Sequence, residues 1–240
     1  MRFGIAAAAV VAAYLVKGLT GFGNTLVFST AMSFFSSTLA ITPVEAVLGL
    51  PSNVFIAWRE RRSFRWRVIL PVSVIVVAGC VPGILLLKSA SPRLLKVFFG
   101  FVVMALGAEM LLRERAGRRR GSRAVLALIG LTAGVMSGLY GVGALLAAYM
   151  SRTTEDSASF RGNLCAVFLI TDSVRLVLYC LTGVVTGAAL LTAAKLLPFM
   201  ALGLAAGTWL AGRWQEATVK RAIVAGLIFS GLSLVITNLV

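Results

Sequence analysis

The chain has 240 residues, 59% of them hydrophobic and only 13% charged, and it contains no histidine. Soluble domains average ~45–50% apolar and ~25% charged residues, so a soluble globular domain and a disordered chain are both excluded, and without histidine so are His-based metal sites and Ser-His or Cys-His catalysis. Lys and Arg outnumber Asp and Glu by 23 to 8, a net charge of +15, but the basic residues lie mostly between apolar runs, which points to membrane topology and an anionic substrate rather than to nucleic acid.

A spanning helix needs ~20 mostly apolar residues, and the chain contains eight such segments. The first, Gly4–Phe35, is long and has glycines in its middle. It follows Arg2 and an alanine-rich stretch that could pass for a signal peptide, yet it runs on into a motif that recurs later, so cleavage is not expected. The second, Pro43–Trp58, opens with Thr42-Pro43-Val44-Glu45, which reads as an N-cap threonine, proline at the first helical position and a capping glutamate. Glu45 on this reading caps a helix rather than taking part in transport. The third is Val68–Leu87, and the fourth, Arg93–Leu112, starts at Ser91-Pro92. The fifth, Ala124–Met150, again holds glycines, and Phe160–Leu181, Ala188–Gly212 and Ala217–Leu239 follow. Continuous rather than alternating apolar runs speak against strands. Cys80, Cys165 and Cys180 are scattered within the runs without a C-x-x-C, as reduced cysteines packed among helices would be.

Two arginine clusters set the expected orientation. Arg59, Arg61, Arg62, Arg65 and Arg67 follow the second span, and Arg113, Arg115, Arg118, Arg119, Arg120 and Arg123 follow the fourth. They share one side, the cytoplasmic one by the positive-inside rule. With the first and fifth segments each crossing once, both termini are cytoplasmic; a first segment that doubles back at its glycines would move the N-terminus outside.

The chain also repeats itself. Gly18-Leu19-Thr20-Gly21-Phe22-Gly23 and Gly138-Leu139-Tyr140-Gly141-Val142-Gly143 are 120 residues apart, and Gly79/Gly83 in the third span match Gly203/Gly207 in the seventh. The predicted fold is therefore an all-α integral membrane protein, with eight transmembrane helices in two four-helix repeats and broken first and fifth helices. The repeats are 1–112 and 124–240, joined by a basic cytoplasmic linker, 113–123. An even number of crossings per half predicts repeats that run parallel. The four-residue glycine spacings read as close helix packing. Three glycines in six residues also weaken a helix, by ~1 kcal/mol each relative to alanine, so each motif predicts a break, the competing reading being that its glycines only allow a tight helix crossing. Paired breaks in matching positions point to a transporter's binding site, and helix N-termini there offer amides to an anion.

With these motifs in view, the chain resembles the sulfite exporter TauE/SafE family, also called the toluene sulfonate uptake permease family. G-L-T-G-F-G-N in the first segment, S-G-L-Y-G-V-G at the head of the second half, and a sixth span in which Ser157–Asn163 leads to Asp172-x-x-Arg175 carry the resemblance. It implies a multi-pass protein of the bacterial inner membrane that moves sulfite, sulfonates or related organosulfur anions. This chain has Ala144 where many members show a further glycine, and Phe28-Ser29-Thr30 where members often carry a proline.

Ionisable residues inside spans are candidate functional groups. Lys17 beside the first motif can bind an anion, pair within the bundle or snorkel to an interface. Asp172 and Arg175, three apart on one helical face, read as an ion pair, or as an anion-binding arginine with an aspartate that orients it or carries a coupling proton. Asn53 is the uncharged counterpart of Asp172 in the first half. Lys195 reads as facing an interface. The candidate substrate site thus comprises Lys17, Gly18, Thr20, Gly21, Phe22, Gly23, Asn24, Asn53, Ser137, Gly138, Tyr140, Gly141, Gly143, Asp172 and Arg175. No Walker motif, cofactor site or catalytic constellation is visible, so the expected protein is a secondary transporter for a small anion, coupled to a proton or sodium gradient, and not an enzyme. A homo-oligomer fits this reading. The alternative is a membrane scaffold or accessory subunit that transports nothing.

Overall fold

The computed structural model describes residues 3–113, 123–153 and 157–211, together with Ile236. The predicted eighth span, apart from Ile236, and the middle of the basic linker lie outside these residues. Among the described residues the regular structure is helical throughout, and five helices are long and apolar enough to cross a membrane.

The first predicted span is two helices, α1 (Phe3–Thr20) and α2 (Asn24–Ser33). Gly21 and Gly23 between them have φ of 85° and 86°, a region that costs side-chain-bearing residues dearly. The second span is α3 (Thr38–Arg59). It starts at Thr38 rather than Pro43, so Thr42 is not an N-cap: its hydroxyl donates to the Thr38 carbonyl, and Pro43 lies inside the helix. Membrane helices tolerate interior proline because neighbouring groups satisfy the freed carbonyl. A basic loop with a 3-10 turn at Arg61–Ser63 leads to α4 (Trp66–Ser89) and then α5 (Pro92–Arg113). The Ser91 hydroxyl accepts from the Leu94 amide, as its position before Pro92 predicts. The fifth span is likewise two helices, α6 (Arg123–Tyr140) and α7 (Ala144–Thr153), separated at Gly141, φ 75°. The helices α8 (Ser157–Leu181) and α9 (Gly187–Leu210) complete the described chain. Leu70, Val74, Val81 and Leu85 form an exposed apolar strip on α4, as lipid contact requires.

Side-chain pairs fix the helix directions. Glu45 meets Arg175, Asn53 meets Asp172 and Glu60 meets Arg161, so α3 and α8 are antiparallel. The α3 helix runs toward the Arg59–Arg67 loop, here called the basic face, and α8 therefore runs away from it. After the short turn behind α8, α9 returns to the basic face. Val11 meets Gly203 and Leu15 meets Gly207, which makes α1 parallel to α9. Leu131 meets Gly79 and Val135 meets Gly83, which makes α6 parallel to α4, a helix leaving the basic face. The two sets of contacts correspond: Val11 and Leu131, like Leu15 and Val135, are 120 residues apart, and each glycine of α4 has its match 124 residues on in α9.

Two expectations are corrected by these directions. The α1 helix runs toward the basic face and α6 away from it, so corresponding elements are inverted rather than parallel. The reason lies in the breaks, at which the chain reverses. Asn24 and Thr25 at the start of α2 bond to Glu45, and only four residues separate Ser33 from the start of α3 on the opposite face. The α7 helix returns to the basic face in the same manner, with Leu146, Ala147 and Met150 packed in one cluster with Ile69, Val72 and Leu164. Each broken segment thus makes a pass and a return, which changes the parity of each half. The second correction follows: α1 begins on the face opposite the basic loops, not beside them. A Ser36→Cys reporter in a Cys180→Ser background is expected to react with impermeant thiol reagents on intact cells, and Arg62→Cys is expected to be protected; the reverse labelling would invert the orientation.

The paired glycines bring backbones together, as the four-residue spacing predicts. A Cβ on Gly79 would fall on the Leu131 carbonyl oxygen, and one on Gly207 on that of Leu15. Gly79→Leu is expected to cost about 3 kcal/mol or more through overpacking, seen as a lowered melting midpoint in detergent. Gly4, with open space around it, should accept leucine without loss.

Candidate functional site

The two breaks face one buried cavity. Gly23, Asn24 and Thr25 line it from the first break, and Gly141, Gly143 and Ala144 from the second. Lys17, Glu45 and Asp172 contribute its charges, and Leu26 and Phe168 complete the lining. The free space is about that of one water.

Both α2 and α7 begin at this cavity. Gly23, the N-cap of α2, has no side chain to cap it, and the first hydrogen bonds of the two helices are Val27 N–H to Gly23 O and Ala147 N–H to Gly143 O. The amides of the first turn of each helix are left without intrahelical partners, with the positive end of the helix dipole behind them.

Lys17 is 2% exposed. It forms no ion pair with the described residues; the recorded partner of its ammonium is the Tyr14 ring, 5.8 Å away. A buried ammonium lacking a contacting counter-ion is costly, and here it borders the cavity.

Arg175, fully buried, is by contrast held by acceptors at both terminal nitrogens. Its Nη2 lies 2.9 Å from Glu45 Oε2 and 3.3 Å from Asp172 Oδ1, and its Nη1 donates to the Ser137 carbonyl at 3.0 Å. The predicted Asp172–Arg175 pair exists, but Glu45 is the closer partner. Glu45 does not cap α3. It sits in the second turn, 2% exposed, where Oε1 accepts from Asn24 Nδ2 at 3.0 Å and Thr25 Oγ1 at 2.6 Å. Asn53 Nδ2 donates to Asp172 Oδ2 at 2.8 Å, so the two matched positions touch each other.

Other candidates serve the framework. Gly18 packs on the backbone of Gly207 and Thr208, and Gly138 on that of Cys80. The Thr20 hydroxyl donates within its own break, to the Val16 and Phe22 carbonyls. Tyr140 turns away and donates to the Leu95 carbonyl. Phe22 packs edge-on against Phe160. Gly21 makes the first turn against Arg161 and is held through its carbonyl by the Cys165 thiol. Ser137 contributes its carbonyl to Arg175. Lys195 is exposed on α9. Cys80 and Cys165 are buried free thiols, whereas Cys180 is exposed. Sequence reading missed Glu45 and Thr25; the available signal was a single carboxylate within an apolar span.

Apolar helices with two reversed breaks around a buried, charged cavity define a class, the multi-pass membrane transporters. The family model described as "Sulfite exporter TauE/SafE" matches residues 5–234, and the chain belongs to this family, which is one of transporters rather than enzymes. No curated protein and no solved structure matches the chain.

Proposed function

We propose that the chain is a secondary transporter of the bacterial inner membrane for sulfite or an organosulfonate, with the anion held between the N-termini of α2 and α7 and beside Lys17. The observation that carries this reading is the buried ammonium, without an ion pair among the described residues, bordering a cavity at which both α2 and α7 begin. Amides and one cation in a dry pocket are what a sulfur oxyanion requires. Within the candidate site, Lys17, Gly23, Asn24, Gly141, Gly143 and Asp172 line the pocket, Thr25, Glu45 and Ala144 join them, and Arg175 and Asn53 position the carboxylates. The family match supports a sulfur anion as substrate. Two inverted halves, 1–112 and 124–240, complete the architecture, and an ion gradient supplies the energy. Purified protein in liposomes is expected to give sulfite or sulfonate flux above empty vesicles; a folded, inserted protein with no flux would favour the scaffold role instead.

A further inference from the structure

We propose that Glu45 carries the coupling proton and takes it up together with the anion, an inference that rests on the anion site described above. The cavity region is balanced, with Lys17 and Arg175 against Glu45 and Asp172. Adding a monoanion leaves one unbalanced negative charge in a closed site of low dielectric, which is costly. Adding a proton with the anion restores the balance.

Glu45 and the anion compete for the same helix start. The carboxylate is held by the side chains of Asn24 and Thr25, the first two residues of the helix whose amides face the cavity. Its negative charge opposes an anion there, and its neutralisation releases that opposition. Asp172 likewise has an amide donor, Asn53, on one oxygen and Arg175 on the other, but only Glu45 also receives a hydroxyl, that of Thr25. The hydroxyl of Thr25 can reverse from donor to acceptor by rotation alone once Glu45 gains a proton, whereas Asn53 would have to turn its whole amide. The other charged or titratable groups facing Glu45 are Lys17 and Tyr14 from α1 and Asp172, Arg175 and Tyr179 from α8.

Buried hydroxyls also line the seam between α2 and α3, those of Ser33 and Thr42 donating to the Ser29 and Thr38 carbonyls. Thr25, Ser29 and Ser33 recur at four-residue spacing on one face of α2, and Thr38, Thr42 and Glu45 on one face of α3. The helices are antiparallel, and Thr25 against Glu45 sets the register that brings Ser33 beside Thr38. All six residues are buried, and the Ser29 hydroxyl has no partner among the described residues. This hydroxyl seam leads from Glu45 to the face opposite the basic loops. In the step, an O–H bond forms on the carboxylate as a proton leaves the aqueous phase, and it breaks when the anion departs.

The test is calorimetry on the full-length protein in detergent, in buffers of different ionisation enthalpy, with ethanesulfonate, which does not titrate, and with sulfite. About one proton is expected to enter per ethanesulfonate bound, with affinity falling ~10-fold per pH unit as pH rises above the Glu45 titration. Glu45→Gln should bind with no proton uptake and a flat pH profile. Ser29→Ala with Thr42→Ala should keep the uptake at equilibrium but slow coupled flux in liposomes. Wild-type binding without proton uptake, or uptake that survives Glu45→Gln and disappears in Asp172→Asn, would overturn the assignment. Absence of binding by either anion would instead overturn the anion site itself.

Discussion

Lys17→Met is expected to weaken anion binding about 10- to 100-fold while leaving a folded, inserted protein. A hydrogen bond to a charged partner contributes ~1.5–3 kcal/mol, and methionine keeps the length of the side chain while removing the charge. Folding should survive, because no described residue depends on Lys17 for an ion pair and because losing a buried ammonium removes its desolvation cost. The check is a binding isotherm for ethanesulfonate or sulfite beside a melting curve. A variant with unchanged affinity would leave the anion to the amides alone.

Arg175→Gln should act in the opposite way and leave little folded protein. The guanidinium holds Glu45, Asp172 and the Ser137 carbonyl, and so ties α3, α6 and α8 together. Removing one partner of a buried ion pair costs ~3–5 kcal/mol, a large part of a typical net stability of ~5–15 kcal/mol. Adding Glu45→Gln should recover more monodisperse protein than adding Asp172→Asn, because Glu45 is the nearer carboxylate, at 2.9 Å against 3.3 Å. The recovered double variant is expected to have lost proton-linked binding. Wild-type yield and melting from Arg175→Gln alone would contradict the placement of this residue at the centre of the fold.

Much of the framework could be read from the sequence because it rests on short-range physics. Apolar runs of spanning length mark the helices. Glycines at 18–23 and 138–143 mark the breaks, and the four-residue pairs mark the crossings. The direction taken after each break was not legible, because a glycine-rich segment permits either a straight or a reversed path. Gly21 and Gly23 in the left-handed region turn the chain back. That one reversal in each half changes the relation between the halves from parallel to inverted. Glu45 was misread for a related reason. Thr42-Pro43 has the chemistry of a helix start, but α3 begins a turn earlier, at Thr38, and the glutamate falls on the buried face opposite Arg175. The roles of Thr20 and Tyr140 depend on where their hydroxyls point, which spacing alone does not determine.

The central claim, an anion held between two helix starts beside Lys17, is tested most directly with selenite, whose selenium scatters anomalously and whose shape matches sulfite. Crystals of the protein grown with selenite should show one dominant anomalous peak in the cavity, within hydrogen-bond reach of Lys17 Nζ and of the first-turn amides of α2 and α7. A dominant peak elsewhere, for example among Lys88, Arg93 and Lys96, with none between Asn24 and Ala144, would contradict the account.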